Sequence, residues 1–255
     1  MEIVIASLAS STDRRARIRR MMEGSDRRWR FHDALTTPPS GIPYVEAEAL
    51  VRKGRPLSPG ELAAFSTHRA ILEQFVRDGD ADHLLVLEDD ILIDPGFPFE
   101  RLPELMSLAG IGMLRLYARS LIGTCRRIAC VGERHSLVRF TRPAFGTQAY
   151  LVTREGARRL LSTPRRIVRP CDDEFDRYWE NGVPLYALYP FPVIELHGPT
   201  TIAGRDLPFP PLSPSQALRL RLHGSFTRCR RKAADFGLLL RDRRIRDRLL
   251  GAYRL

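Results

Sequence analysis

The stretch Leu84-Leu85-Val86-Leu87-Glu88-Asp89-Asp90 constrains this chain more than any other. His83 to Leu87 is a short continuous run, mostly apolar, the pattern of a strand covered on both faces. It ends abruptly in three carboxylates. Crowded carboxylates at the end of a buried strand are costly unless positive charge neutralises them. In an open α/β sheet, ligands bind beyond the carboxyl ends of the strands. Carboxylates at that place suit a hard divalent cation, Mg2+ or Mn2+, bridging to phosphate oxygens. A strand that simply ends in a polar turn gives the same letters, so the triplet by itself leaves both readings open.

The rest of the chain supplies the sheet. Residues 2–8 read as a buried first strand, followed by turn and N-cap residues Ser10 to Asp13 and a basic helix from Arg14 to Glu23. Trp29 to Ala34 reads as a second strand. A Pro- and Gly-rich excursion over 35–56 leaves room for one helical turn near 45–52. Ser58-Pro59-Gly60-Glu61 is an N-terminal helix signature: an N-cap, a proline at the first helical position and a capping-box glutamate. Leu62, Phe65, Ile71, Leu72, Phe75 and Val76 recur at spacings of three and four, which predicts a helix to Arg77. Further strands are expected at 111–117, 127–131, 148–152, 185–188 and 193–196. Helices are expected from Thr153 to Leu161 and from Asp172 or Asp173 to Glu180. Strands alternating with helices imply an α/β sheet, mostly parallel in its first half.

The length of 255 residues fits one large domain or two small ones, and 44% hydrophobic residues exclude disorder throughout. No apolar run reaches the roughly 18 residues of a membrane span. The N-terminus has no basic leader before its apolar stretch, so no signal peptide is read there. The four cysteines form no C-x-x-C pair, which argues for reduced thiols in a cytoplasmic protein. Net charge is +11, but residues 215–255 carry 12 basic and 3 acidic residues, a net of +9, which leaves +2 for residues 1–214. The chain therefore divides into a nearly neutral body, 1–207, and a proline-rich linker with a basic helical tail, 208–255. Such a tail can bind an anionic membrane surface or nucleic acid, or simply keep the protein soluble.

Other residues carry chemistry more weakly. Asp172-Asp173-Glu174 opens a helix, where acids offset the macrodipole. Three in a row exceed that need, and one facing the first cluster can act as a general base toward a hydroxyl. His68 falls on the inward side of its helix, the place of a hydrogen-bonded core histidine or of a catalyst, and Glu61, seven residues earlier, roughly shares that face. His197 follows a short strand and is a candidate third ligand beside the carboxylates. Asp13-Arg14-Arg15 follows the first strand, where arginine can stack on a base or pair with a phosphate. No P-loop, dinucleotide fingerprint or G-x-S-x-G elbow is present, which counts against a P-loop enzyme, a Rossmann dehydrogenase and an α/β-hydrolase.

Taken in order, several segments resemble glycosyltransferase family 25, the type acting in lipooligosaccharide and lipopolysaccharide biosynthesis. They are Ser7-Leu8 with Asp13-Arg14-Arg15, Phe31-His32-Asp33-Ala34, Leu57 to Glu61 with His68-Arg69, Leu85 to Asp90, Gly146 to Leu151 with Gly156-Ala157, and Pro170 with Asp172-Asp173. The resemblance implies a GT-A-like fold, a UDP-sugar donor and a divalent metal, Mn2+ or Mg2+, at the acidic triplet. Asp90, with Glu88 and His197, would hold the metal. Ser7, Asp13, Arg14, Arg15, Glu61, His68, Glu88 and Asp89 would surround the donor. Asp173 first, then Asp172 or Glu174, would take the acceptor proton. The sequence departs from the family at Ala64 and Thr67, where a Cys and a Ser are common, and at Leu8-Ala9-Ser10-Ser11.

The function expected is metal-dependent, inverting transfer of a hexose, galactose in such enzymes, to a hydroxyl of a cell-surface glycan or lipid-linked oligosaccharide. Such an enzyme would be cytoplasmic and peripheral on the inner face of the membrane, bound through residues 215–255. Other classes make different demands. A non-catalytic nucleotide-sugar or glycan-binding protein would bind UDP with metal and turn nothing over. A nucleic-acid-binding protein would use the tail with steep salt dependence, but the near-neutral body and the lack of a basic–aromatic motif argue against it.

Overall fold

The computed structural model describes residues 1–24, 27–36, 42–78, 80–120, 125–163, 165–196 and 211–250. Its first half follows the expected order. Strand β1 (Glu2–Ser7) leads into α1 (Thr12–Met21), β2 (Trp29–Asp33), α2 (Glu46–Lys53), α3 (Pro59–Asp78) and β3 (His83–Glu88). A short β4 (Ile91–Ile93) and α4 (Leu102–Ala109) precede β5 (Met113–Arg115). Then come β6 (Cys125–Val131), β7 (His135–Phe140), β8 (Ala149–Thr153) and α5 (Arg154–Ser162). The chain continues through α6 (Cys171–Phe175), α7 (Tyr178–Asn181), β9 (Tyr186–Tyr189), β10 (Val193–Glu195) and α8 (Pro214–Leu249).

Eight strands form one sheet in the order β2-β1-β3-β8-β5-β9-β7-β6, and β4 pairs with β10 in a separate antiparallel ribbon. β1 runs parallel to both β2 and β3, so the first half of the sheet is parallel as expected. From β8 onward the sheet is mixed: β8 is antiparallel to β3 and β5, and β7 is antiparallel to β9 and β6.

The apolar run of β3 is covered on both faces, and its alternation sorts the core. Ile3, Ile5, Leu85 and Leu87 lie in one apolar cluster with Ile18 of α1, Leu105 of α4 and Ile245 of α8. Val4, Leu84 and Val86 point the other way, toward Phe65, Ile71 and Phe75 of α3 and Ala157 of α5. A residue period of two in each strand thus builds two layers of helices around one sheet. Burying each large aliphatic side chain contributes about 1.5–3 kcal/mol. Layer contact is tightest at Gly156, where an added Cβ would lie 2.1 Å from the carbonyl oxygen of Gly112.

Local signals explain most boundaries. The Ser58–Glu61 capping box starts α3, with Glu61 N–H donating to Ser58 Oγ at 3.2 Å and Ser58 N–H to Glu61 Oε2 at 2.9 Å. Thr153 caps α5 by accepting from Gly156 N–H. The helix expected over 172–180 is two short ones, because Asp176 is turned into the core. α4 and β7 lie where the sequence pattern gives no expectation. β5 is shorter than the run 111–117 suggests.

The basic C-terminal segment is helical, as expected. The boundary at 207/208 lies outside the described residues. α8 packs along α2, α4, α7 and β6. Its anchor is Arg139 of β7, fully buried, whose Nε donates to both carboxylate oxygens of Asp242 at 3.0 and 2.9 Å and whose Nη1 donates to Asp235 at 2.6 Å. Tyr186 donates its hydroxyl to Asp242 at 3.0 Å. Removing one partner of a buried pair leaves the other uncompensated. Arg139→Ala should therefore cost about 3 kcal/mol in urea unfolding and open α8 to proteolysis. A wild-type urea midpoint with α8 still protected would mean that apolar contacts alone hold the helix.

Candidate active site

The acidic triplet ends β3 beside the β1–α1 turn, because β1 and β3 are parallel neighbours that finish at the same edge. Each carboxylate has a different environment. Asp89 is buried and neutralised: Ser7 Oγ donates to Oδ2 at 2.7 Å, and Arg14 donates to Oδ1 at 3.0 Å. Arg17 donates to its backbone carbonyl at 2.7 Å. Arg15 donates to Ser7 Oγ at 3.2 Å and to Ser7 O at 2.9 Å, and it pairs with Asp33. Asp13 stands exposed in the first turn of α1.

Glu88 faces the other way. Thr147 Oγ1 donates to its Oε1 at 2.7 Å, and His68 Nε2 lies 3.3 Å from the same oxygen. With the proton on Nε2, the ring accepts from the Tyr150 hydroxyl at Nδ1, 3.1 Å away. Burial works against the charge of Glu88, but the hydrogen bond and charge of His68, the hydrogen bond from Thr147 and the charge of Arg119 together outweigh it and hold its pKa below the ordinary value. His68 is therefore inward and hydrogen-bonded, and its partner is a site carboxylate.

Asp90 is the uncompensated member. Its Oδ1 is buried with no hydrogen-bond partner, and its Oδ2 lies 3.7 Å from Arg14. Burial, then the charge of Glu88, push its pKa up to about 7; Arg14 opposes, and Asp89 and Glu195 add to the rise. Glu195 arrives on β10, whose pairing with β4 brings residue 195 opposite Ile91, and Leu196 N–H donates to Asp90 O at 2.7 Å. Tyr117 donates to Glu195 at 2.5 Å and Gln148 Nε2 donates to it at 3.1 Å. His197 lies outside the described residues.

The second acidic cluster reaches this place through the loop before β8. Gly146 N–H donates to Asp172 Oδ2 at 3.0 Å, and the next residue, Thr147, donates to Glu88. Gly146 has φ +87°, and a Cβ there would stand 2.6 Å from Gln148 Oε1. Asp172 Oδ1 accepts from Asp173 N–H at 2.8 Å. Asp173 pairs with Lys53 at 3.1 Å. Glu174 is buried against Arg169 at 3.4 Å, and burial raises its pKa despite that arginine. Glu61 is engaged by its capping box and by Arg55, at 2.8 and 2.5 Å, at the start of α3. Beneath the loop, Asp176 accepts from Ala144 and Phe145 N–H, each at 2.7 Å, and pairs with buried Arg115, which also donates to Gly146 O.

The structure thus brings together Ser7, Arg14, Arg15, His68, Glu88, Asp89, Asp90 and Asp172. It leaves Glu174 and Glu61 in structural pairings of their own. Sequence reasoning missed Glu195 and Asp176. Glu195 is the only acid of its expected strand, and Asp176 follows the second acidic triplet by two residues, but neither position is marked by a local pattern. Among the described residues no three His, Cys, Asp or Glu side chains converge as a preformed metal cage. The donor chemistry still fits a hard cation, because magnesium-type sites use one or two carboxylates and complete their shell with water and phosphate oxygens. Asp90 offers a buried, unpartnered oxygen in a field of carboxylates, as such a site requires.

Residues 1–107 match Glycosyltransferase family 25 (LPS biosynthesis protein). The match spans β1 to α4, including the β1–α1 turn and the acidic triplet, so the resemblance read from the motifs holds for that part of the chain. Among solved structures, the galactosyltransferase LgtC in complex with donor and acceptor sugar analogs is similar at 13% identity and a TM-score of 0.38, over 88% of this chain and 96% of that one. A second structure, of an active-site mutant of LgtC, is similar at 15% identity and a TM-score of 0.40, with the same coverage. At such scores no property of that enzyme transfers to this chain. No curated protein matches it in sequence.

Proposed function

We propose that this chain is a metal-dependent, inverting glycosyltransferase with a GT-A-like donor site. It moves a hexose, galactose by the family resemblance, from a UDP-sugar to a hydroxyl of a lipid-linked or cell-surface glycan. The observation that carries the reading is Asp90: a half-buried carboxylate whose Oδ1 is buried without a hydrogen-bond partner, at the end of the strand that the matched family segment contains. Asp90 would hold the metal, with Glu88 and Glu195 adding negative field; Mn2+ or Mg2+ bound there supplies charge neutralisation for a diphosphate leaving group. Arg14 and Arg15 lie at the adjacent turn, where a guanidinium can meet nucleotide or phosphate. Ser7 and Asp89 hold those arginines in place.

In the transfer, the acceptor oxygen forms a bond to the anomeric carbon as the bond from that carbon to the diphosphate oxygen breaks. The hydroxyl proton passes to a carboxylate, and UDP leaves with the bonding pair. We assign the proton to Asp172 ahead of Asp173. Asp172 is tied through Gly146 to the loop that also reaches Glu88, whereas Asp173 is drawn to Lys53. Glu174 is the weakest candidate, because it is buried against Arg169.

The test is calorimetric titration of UDP and UDP-galactose with Mn2+ and then with EDTA. Donor binding that needs metal supports the reading, and a folded protein that binds neither under any condition sinks it. Asp172→Asn should keep donor binding within about threefold while transfer falls by about a hundredfold or more, in the range of general base catalysis. If Asp173→Asn has that effect and Asp172→Asn does not, the base is Asp173. Metal-dependent UDP binding with no turnover on any acceptor would assign the chain to non-catalytic donor binding.

No helix among the described residues is long and apolar enough to cross a membrane. We place the enzyme in the cytoplasm and peripherally on the inner face of the membrane, where a lipid-linked acceptor is reached.

A further inference from the structure

Helix α8 has two faces of different origin. The inward face carries Ile245, Leu249 and Leu238, packed on the body. On the outward face, Leu218, Leu222, Phe226, Phe236 and Leu240 stand 58%, 62%, 61%, 77% and 62% exposed. At about 100° per residue these five, with exposed Cys229 and Ala233 between them, fall within an arc of about 80°. The stripe runs about 33 Å along the helix. Exposed Arg219, Arg230 and Arg244 border it on one side, and Arg221, Arg228, Lys232 and Arg243 on the other. Asp235 and Asp242 are turned inward to Arg139, so the only acid left outside is Asp247, at the helix end and paired with Arg246.

Single exposed apolar residues need no explanation, but a continuous stripe does. Arginine borders on both sides would repel a second copy laid against the same face. Nucleic acid phosphates would answer the arginines and leave the stripe without a partner. An anionic bilayer answers both: acyl chains take the stripe, and headgroups take the arginines. We propose that α8 lies flat in the interface of an anionic lipid bilayer, with Phe226 and Phe236 inserted and the arginine borders at headgroup level. The inference rests on the peripheral location given above and names the surface that makes it so. Its observations lie on the outward face of α8 and not at the donor site.

The experiment is co-sedimentation of the full chain with vesicles of phosphatidylcholine alone and with about one-third phosphatidylglycerol. Binding to the anionic vesicles only is expected. It should weaken by more than about tenfold in Phe226→Ser/Phe236→Ser, which loses the insertion of two aromatic rings. It should also weaken by about tenfold or more in Arg219→Gln/Arg221→Gln/Arg243→Gln, with a flatter salt dependence. All of these side chains are exposed, so melting temperature and UDP binding should match wild type in both variants. Equal sedimentation with neutral and anionic vesicles, or an aromatic variant that binds like wild type, would overturn the proposal. Self-association that the aromatic variant abolishes, without vesicle binding, would assign the stripe to a second copy and overturn it too. Loss of UDP binding in the wild type would sink the transferase reading and leave the vesicle result intact.

Discussion

Asp90→Asn should raise the melting temperature of the metal-free protein above pH 7 and abolish metal-dependent UDP binding. Both effects come from one feature. Asp90 is half-buried among Glu88, Asp89 and Glu195, and its pKa is raised to about 7 from the ordinary 3.8. Between those values the folded chain holds a proton that the unfolded chain has released. The folded state then binds more protons, so stability falls as pH rises from about 4 to about 7 and stays reduced above. A shift of that size corresponds to a few kcal/mol, at about 1.4 kcal/mol per pH unit. Asparagine keeps the shape and removes the charge, so the penalty goes and the metal-free protein becomes more stable. The same change removes the oxygen charge that a divalent cation needs, so UDP binding with Mn2+ should fall by a hundredfold or more while the fold persists. Melting curves at pH 5 and pH 8, with titrations at pH 8, check both halves. A variant less stable than wild type at pH 8 would mean that the Arg14 contact to Asp90 outweighs the repulsion.

The elements with strong local signals were legible in the sequence. Ser58 to Glu61 announced α3, and the boundary held to a residue because the capping box closes as its letters require. The β3 run was legible because both of its faces are buried, which leaves no polar alternation. β7 was not legible. Its sequence, HSLVRF, places Arg139 inside the core, and only α8, about a hundred residues later, makes that burial tolerable. Short β4 was not legible either, because its only partner is β10, a strand expected at 193–196 whose pairing no local pattern announces.

The site divides along the same line. Glu88 to Asp90 and the Ser7–Arg15 segment stood out because each follows an apolar strand with a sudden run of charge, and the parallel pairing of β1 and β3 puts those ends side by side. Glu195 stood in an expected strand, yet nothing local said that β10 would deliver it to Asp90. The sequence put Asp173 ahead of Asp172 as the base, with no local pattern to separate their surroundings. What separates them is the Gly146 N–H that Asp172 accepts and the Lys53 ammonium that Asp173 pairs with, and no local pattern announces either contact.

Asp176→Ala should be the most damaging single substitution outside the acidic triplet. Asp176 is fully buried and takes the charge of Arg115, which is 1% exposed. Its other oxygen accepts two backbone N–H groups, from Ala144 and Phe145. Alanine leaves a buried guanidinium without its counter-charge, at about 3–5 kcal/mol, and orphans two donors at about 1–3 kcal/mol each. That sum approaches the whole stability of an ordinary domain. Asp176→Asn is the better probe, because its amide oxygen can still accept from the loop while the charge is gone. It should lower the urea midpoint while leaving a folded protein. The loop 144–147 positions Gly146 against Asp172 and Thr147 against Glu88, so this variant should also lose transfer more than donor binding. Urea unfolding and UDP titration on the same preparation read the two effects separately. If stability falls while transfer at saturating donor matches wild type, the loop does not position the base, and Asp172 loses its link to the reaction.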